Sequence, residues 1–213
     1  HRHGVECEVI YPPVDVDYYG QAYSEEKEDY YVIVSRLEPY KRVDIAIEAA
    51  GRLGKTLYVI GDGSLRRPLE QRAPSCVRFL SYQNSEQIRH YVSRARAFLF
   101  PSREDFGIAP LESQACGTPV VAFGQGGALE TIQGLEHKDP TGVFFPLQSA
   151  ESLLEALQIF ESHRSKLSPR AMRHNVERFS VARFGHEIKA CVERHWEEFC
   201  GNRSRHQNFV AHP

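Results

Sequence analysis

Tyr30-Tyr31-Val32-Ile33-Val34, then Val43, Ala46, Ile47, Ala50 and Leu53 at helical spacing, then Thr56-Leu57-Tyr58-Val59-Ile60 ending at Gly61-Asp62-Gly63: this stretch decides the fold class. The first and last runs are short and apolar throughout. A strand covered on one face alternates polar and apolar residues, whereas an unbroken apolar run is buried on both faces. The middle segment repeats its apolar positions with the helical period, and Gly54 supplies a stop. Strand, helix and strand in this order predict parallel pairing.

Working outward, the same alternation continues. Residues 65–72 read as a short helix and Val77–Leu80 as a strand. Asn84 caps a helix running through Ser93, with Gln87 placed to complete a capping box. Ala97–Phe100 is a strand stopped by Pro101. Residues 108–116 form a helix closed by Gly117, and 119–123 a strand followed by Gly124, Gly126 and Gly127. Gly142–Phe145 is the last short strand. After Ser149 the chain turns helical, and Ser168-Pro169 opens one helix with a cap and a first-turn proline. Phe184, Ile188, Cys191, Val192, His195 and Phe199 line one face of another. The expected fold is α/β: a doubly wound parallel sheet, Rossmann-like, with a C-terminal helical arm. Residues 1–180 are expected to form the sheet domain, 181–201 a helix, and 202–213 a polar, frayed tail.

Composition narrows the function. The chain has 213 residues, is 41% hydrophobic and carries a formal net charge of -2. Its Lys and Arg are spread along the sequence, so no concentrated basic face argues for nucleic acid. No apolar run approaches the roughly 20 residues that span a bilayer, and no secretory signal opens the chain. Five cysteines, Cys7, Cys76, Cys116, Cys191 and Cys200, form no CxxC pair. An odd count without such pairs speaks against a disulfide framework or a structural zinc site and fits a reducing, cytoplasmic compartment. His1 and His3 stand at a terminus with no carboxylate cluster beside them, so they are read as solvated rather than as metal ligands. The single methionine is Met172, so the chain is expected to be a piece of a longer protein.

In a doubly wound sheet, ligands bind beyond the carboxyl ends of the strands. The loops there run Ser35-Arg36-Leu37-Glu38-Pro39-Tyr40-Lys41-Arg42, Gly61-Asp62-Gly63-Ser64, Ser102-Arg103-Glu104-Asp105-Phe106-Gly107-Ile108-Ala109-Pro110-Leu111-Glu112, and Gly124-Gln125-Gly126-Gly127. Arg36 and Lys41 flank a turn and can grip a diphosphate. A plain basic helix start is the alternative, but cations there oppose the helix dipole, so a bound anion explains them better. The amides at Gly107, Ile108 and Ala109 can bind a phosphate or hydroxyl at a helix start. Glu104 and Glu112 can both face the cleft and accept hydrogen bonds from sugar hydroxyls; two ordinary surface glutamates would have the same spacing. Gly61 and Gly63 also suit an ordinary strand-to-helix turn. The dinucleotide G-x-G-x-x-G fingerprint, the P-loop, the G-x-S-x-G elbow and the H-E-x-x-H helix are all missing. His195 reads as a core or interface residue.

The combination is more specific than its parts. Glu104 through Glu112, continuing as Ser113-Gln114-Ala115-Cys116-Gly117-Thr118-Pro119-Val120-Val121-Ala122, resembles the Glu-x7-Glu motif of the retaining GT-B glycosyltransferases of family 4 (group 1). Val9-Ile10-Tyr11-Pro12-Pro13-Val14-Asp15 resembles its interdomain segment, Ser35-Arg36-Leu37 through Lys41 its phosphate-binding loop, and Val59-Ile60-Gly61-Asp62-Gly63 and Gly126-Gly127-Ala128-Leu129-Glu130 further landmarks. The resemblance runs from about Val9 to about Phe184 and covers the C-terminal, donor-binding half alone. It implies that Arg36 and Lys41 neutralise the donor diphosphate and that Glu104 contacts the transferred sugar, assisted by amides of 107–109 beside Phe106. It further implies that Glu112 holds the ribose, that Gly61 and Gly63 leave room beside the phosphates, and that Tyr82 lies near the base. No tightly bound metal or cofactor is implied; the donor is a nucleotide-diphosphate sugar. The wording of the motifs is mannosyltransferase-like, which favours GDP-mannose over a UDP-sugar. An acceptor sugar or lipid-linked glycan would be held by an N-terminal domain outside this chain, and the full-length protein could sit peripherally at the cytoplasmic membrane. The helix 181–199 would cross to that domain. The competing readings are a binding module for a nucleotide or sugar phosphate without catalysis, and a GT-B epimerase or phosphorylase. A phosphorylase is expected to need a pyridoxal-phosphate lysine in a different motif, and an epimerase is not expected to share the Glu104–Glu112 run.

Overall fold

The computed structural model describes residues 7–207 of the chain. It divides into two compact units, residues 15–177 and the two chain ends, up to 14 and from 178 on. The larger unit is a single six-stranded sheet, β1 (Tyr30–Val34), β2 (Thr56–Ile60), β3 (Val77–Leu80), β4 (Ala97–Phe100), β5 (Val120–Phe123) and β6 (Gly142–Phe145), in the order β3-β2-β1-β4-β5-β6. Every pairing is parallel. This is the doubly wound fold that the alternation predicts. The chain moves outward from β1 through β2 to β3, then returns to lay β4 on the other side of β1. Between β1 and β4 the order reverses, and in sheets of this kind ligands bind at such a switch point, beyond the carboxyl ends of the strands.

The apolar runs are continuous because both faces of the sheet are covered. Tyr31 and Ile33 face a core shared with α2 (Val43–Leu53) and α7 (Ala150–His163), while Tyr30 and Val32 face a second core shared with α4 (Ser85–Arg94). Val32, Leu57, Val59, Leu99, Val120, Val121 and Ala122 are fully excluded from solvent. Local signals end the helices where expected. Asn84 and Gln87 form the capping box of α4, and Gly54 closes α2 in the left-handed conformation at φ 63°. α5 (Ile108–Ala115), one residue shorter than its sequence pattern, ends with Cys116 as its cap.

The unit also contains α1 (Val16–Gly20), α3 (Arg66–Arg72), α6 (Ala128–Thr131) and α8 (Pro169–Glu177). In the smaller unit, Val14 donates its amide to the Phe179 carbonyl at 2.8 Å, and Arg183 Nη2 donates to the Tyr11 carbonyl at 3.0 Å. Its helix α9 spans Val181–Gln207, so it continues past Gly201 into the stretch that the sequence reading assigned to a frayed tail. Each helical glycine, here Gly185 and Gly201, costs only about 1 kcal/mol relative to alanine, and no proline follows within the helix to stop it.

Two glycines separate conformational cost from steric cost. A Cβ at Gly54 would meet nothing within 4 Å, whereas at Gly61, with φ 139°, it would lie 1.9 Å from the Ser35 carbonyl oxygen. Gly54→Ala is expected to destabilise the fold by about 1 kcal/mol and Gly61→Ala by at least ~3 kcal/mol. Urea unfolding of the two variants gives the comparison, and equal losses would refute the packing argument.

Candidate functional site

The loops after β1 and β4 are bridged by an ion pair. Lys41 ends a short 3-10 turn, Pro39–Lys41, in the loop after β1, and its ammonium donates to Glu104 Oε1 in the loop after β4. Both side chains are mostly buried, at 17% and 22% exposure. A turn at Arg42 directs the loop: its φ of 50° is the one positive value on a non-glycine residue among those described. Such a conformation costs about 1–2 kcal/mol and recurs at functional sites. Arg42 in turn pairs with Asp44 in the first turn of α2, at 3.1 Å. The local cations are therefore answered by Glu104 and Asp44. Arg36 is exposed, and its side chain carries no ion-pair or hydrogen-bond partner among the described residues, although its carbonyl accepts from the Ser35 hydroxyl at 3.0 Å; its charge helps hold the Glu38 carboxyl below its usual range, after the larger effect of hydrogen bonds from the Ser64 hydroxyl and amide.

The neighbouring loops are laced to this one through backbone. Leu37 donates its amide to the Asp62 carbonyl at 2.9 Å, and Leu65 donates to the Leu37 carbonyl at 2.9 Å. Ser64 Oγ donates to Glu38 Oε2 at 2.7 Å. A Cβ at Gly63 would lie 2.6 Å from the Leu37 carbonyl oxygen. The space that Gly61 and Gly63 leave is thus filled by the backbone of the Arg36 loop, which by itself accounts for both glycines. On the other flank, the Gly127 amide donates to the Glu104 carbonyl at 2.8 Å, tying the loop after β5 to the residue that pairs with Lys41.

Gly107 caps α5 at φ 92°, and the helix has neither a side-chain cap nor an acidic residue in its first turn. Its first amides, with Ile108 half exposed and Ala109 beneath it, begin just beyond the Glu104 loop. Phe106 backs onto Gly127, where a Cβ would lie 2.3 Å from Phe106 Cα. Glu112 does not meet Glu104 directly. It lies on α5 against α1, where burial pushes its carboxyl above the usual range and a hydrogen bond with the Tyr19 phenol pulls it partly back. The Tyr19 phenol is held well above its ordinary value by burial and then by Glu112. Tyr82 stands apart, 86% exposed after β3, with Gln83 Nε2 donating to its carbonyl at 3.1 Å.

Sequence reasoning missed Tyr19. It belongs to no strand-end motif, and its contact with Glu112 spans 93 positions, so no local pattern announces it. His195, read as a core or interface residue, is exposed on α9 and hydrogen-bonds Glu198 at 3.3 Å. Glu8, Cys191 and His195 come within 4.8 Å of one another there, with Glu8 already paired to Arg194. This cluster belongs to the smaller unit, away from the strand-end loops in sequence.

Residues 20–178 match the family model described as glycosyl transferases group 1. The chain is 28% identical over 217 aligned positions to the D-inositol 3-phosphate glycosyltransferase of Jonesia denitrificans, covering 90% of this chain and 50% of that protein. Among solved structures, it is similar to sucrose-phosphate synthase from Thermosynechococcus elongatus, with a TM-score of 0.71 at 23% identity over 89% of this chain and 50% of that one. Anabaena HepE, solved in complex with UDP-glucose, gives a TM-score of 0.71 at 21% identity over 88% of this chain and 57% of that one. The latter two share the GT-B fold, of which this sheet is one half. The chain spans half or less of the length of the curated relatives it matches.

The Glu112 carboxyl yields a stability prediction. Its folded pKa is raised above the ordinary 4.5. Above that pH the unfolded chain releases its proton more readily than the folded one, so stability falls as pH rises. The ionised carboxylate therefore opposes folding at neutral pH, and Glu112→Gln should raise the Tm at pH 7. The difference should vanish below about pH 3, well under the ordinary 4.5, where the carboxyl is protonated in the folded and the unfolded chain alike. Melting curves at the two pH values check this; a lower Tm at pH 7 would mean that the charge stabilises the fold.

Proposed function

From the premise that this chain belongs to the group 1 glycosyl transferases, we propose that it is the donor-binding half of an enzyme transferring a hexose, with retention, from a nucleotide-diphosphate sugar. The observation that carries this reading is the Lys41–Glu104 pair across the switch point of the sheet. It sets a cation and a carboxylate where a doubly wound fold receives its ligand. An ammonium has three N–H donors, and Glu104 takes one. Two remain for diphosphate oxygens, and the unpaired, exposed Arg36 adds a second cation from the same loop.

In transfer, the bond between the anomeric carbon and the diphosphate oxygen breaks, the acceptor hydroxyl oxygen bonds to that carbon and gives up its proton to the diphosphate, and the leaving oxygen takes up negative charge as its bond breaks. Lys41 and Arg36 oppose that charge, a kind of stabilisation that typically changes rates by about 10²–10³. Glu104 holds a hydroxyl of the departing sugar while keeping Lys41 aimed at the phosphates, and the amides of 107–109, with Phe106 behind them, supply further donors. Glu112 accepts from the ribose hydroxyls, exchanging or sharing its bond with Tyr19. Tyr82 offers a ring for the base. The nucleotide in the HepE complex is a uridine one, which supports a UDP-sugar as the first donor to test; the GDP-mannose reading of the motifs has no such support. A non-catalytic binding module is the second reading, favoured only if the complete protein binds nucleotide without turnover.

The acceptor, whether a sugar or a lipid-linked glycan, would be held by an N-terminal half. α9 presents Ile188, Val192, Trp196 and Phe199 to solvent, a face suited to that half. Attack requires the acceptor hydroxyl near the anomeric carbon, a constraint that contributes about 7–11 kcal/mol, and closure that excludes water.

Three outcomes follow for measurement. By calorimetry, Arg36→Ala and Lys41→Ala should each weaken UDP or GDP binding about tenfold or more, the scale of a lost charge-assisted hydrogen bond; unchanged affinity in both removes them from the site. Chelator should leave that affinity intact, and a loss restored by manganese would reassign the diphosphate to a metal. Residues 1–213 alone should bind donor and show background transfer only, with turnover restored in the full-length chain and depressed there by Glu104→Ala. Robust transfer by the chain alone would place the acceptor site within it.

A further inference from the structure

One side chain joins the ends of β2 and β3. Arg66, the first residue of α3, donates through Nη1 to the Gly61 carbonyl at 2.9 Å and to the Leu80 carbonyl at 3.1 Å. Its other edge is held by Glu70, with Nε donating to Oε1 at 2.9 Å and Nη2 at 2.8 Å from the same oxygen. The guanidinium lies over the Phe79 ring, 5.9 Å from its centroid, and the side chain is 17% exposed.

The helix itself does not call for this residue. α3 has no side-chain cap and no acidic residue in its first turn, and a cation at that end opposes the helix dipole. Its placement is explained by the carbonyls it reaches. Ile60 and Leu80 are the last paired residues of β2 and β3, so the carbonyls at and just beyond this point need donors from elsewhere. The Nη1 amino group serves both carbonyls through its two N–H bonds, whose directions are fixed by the guanidinium plane, while the carboxylate of Glu70 holds the far edge. A lysine ammonium on a flexible stem does not impose the same spacing.

What this one nitrogen ties together is two loops of different proposed function. Gly61 opens the Gly61-Asp62-Gly63 turn, whose backbone is laced to Leu37 of the cationic loop. Leu80 leads into Ser81 and Tyr82, where the hydrogen bonds of Gln83 to the Ser81 and Tyr82 carbonyls are purely local. The position of Tyr82 therefore depends on where β3 ends. We propose that Arg66 is a positioning residue that sets the separation between the diphosphate side and the base side of the nucleotide site, and so governs base selectivity without touching the nucleotide. This rests on the donor-site reading above.

The test is calorimetry on the chain with UDP, GDP and inorganic pyrophosphate, for the parent and for Arg66→Met, Arg66→Lys, Glu70→Gln and Lys41→Ala. Arg66→Met and Arg66→Lys should weaken the preferred nucleotide about tenfold and bring UDP and GDP within about threefold of each other, while pyrophosphate affinity stays within about twofold. Glu70→Gln, which leaves both carbonyl contacts in place, should keep the base preference. Thermal melts verify folding, and Arg66→Lys, which retains the charge beside Glu70, covers the case in which Arg66→Met unfolds. An unchanged UDP-to-GDP ratio in the folded Arg66 variants, or equal losses for nucleotide and pyrophosphate, would overturn the proposal. Weaker pyrophosphate binding by Lys41→Ala in the same series would leave the donor site standing. A parent chain with no base preference overturns it as well, and a parent that binds none of the three probes overturns both readings.

Discussion

The Lys41–Glu104 pair is the contact on which the site depends. It exists because the sheet order places β1 beside β4 although β2 and β3 intervene in sequence. Parallel pairing with helical crossovers brings the loops after β1 and β4 to the same edge. The pair then fixes how far apart those loops sit, and the Gly127 amide on the Glu104 carbonyl extends the constraint to the loop after β5. Three loops are thereby located by one mostly buried charge pair and the backbone around it. A buried cation of this kind needs a counter-charge, since desolvation penalises an unpaired one.

The two neighbouring loops are held by a different device. Where Gly61 and Gly63 cross the Arg36 loop, backbone meets backbone with no room for a side chain. Hydrogen bonds between Leu37 and both Asp62 and Leu65 follow from that approach. Rigidity here comes from main-chain pairing, which leaves the exposed Arg36 side chain unengaged, as its proposed role requires. Arg66 then carries the same constraint one strand further, to the end of β3.

Against this well-satisfied frame stands Glu112. Its carboxyl is placed where burial opposes ionisation, and the Tyr19 phenol only partly compensates. A residue selected for fold stability alone would be neutral there. Perturbed carboxyls cluster where function requires them, since a poorly solvated acceptor bonds more strongly to an incoming hydroxyl than a hydrated one does. The strained turn at Arg42, next to Lys41, belongs to the same pattern of local cost at a site the surrounding structure over-determines.

Much of this molecule is legible in the sequence by itself. Continuous apolar runs such as Tyr30–Val34 and Thr56–Ile60 declare strands covered on both faces, and the helical period between them declares the crossover; burial on each face and periodicity are local properties that a sequence displays directly. The cap at Asn84 and the stop at Gly54 are local for the same reason. The candidate residues Lys41, Glu104 and Gly107 are legible because each follows a strand. What those residues touch is decided by tertiary structure. That Lys41 is answered by Glu104, that Glu112 turns to Tyr19 of α1, and that Arg66 reaches two strand ends all depend on distances between segments far apart in the chain. Side-chain partners across a sheet follow from strand order and register, and no periodicity encodes these because periodicity reports only which face a residue occupies, not which neighbour it meets there.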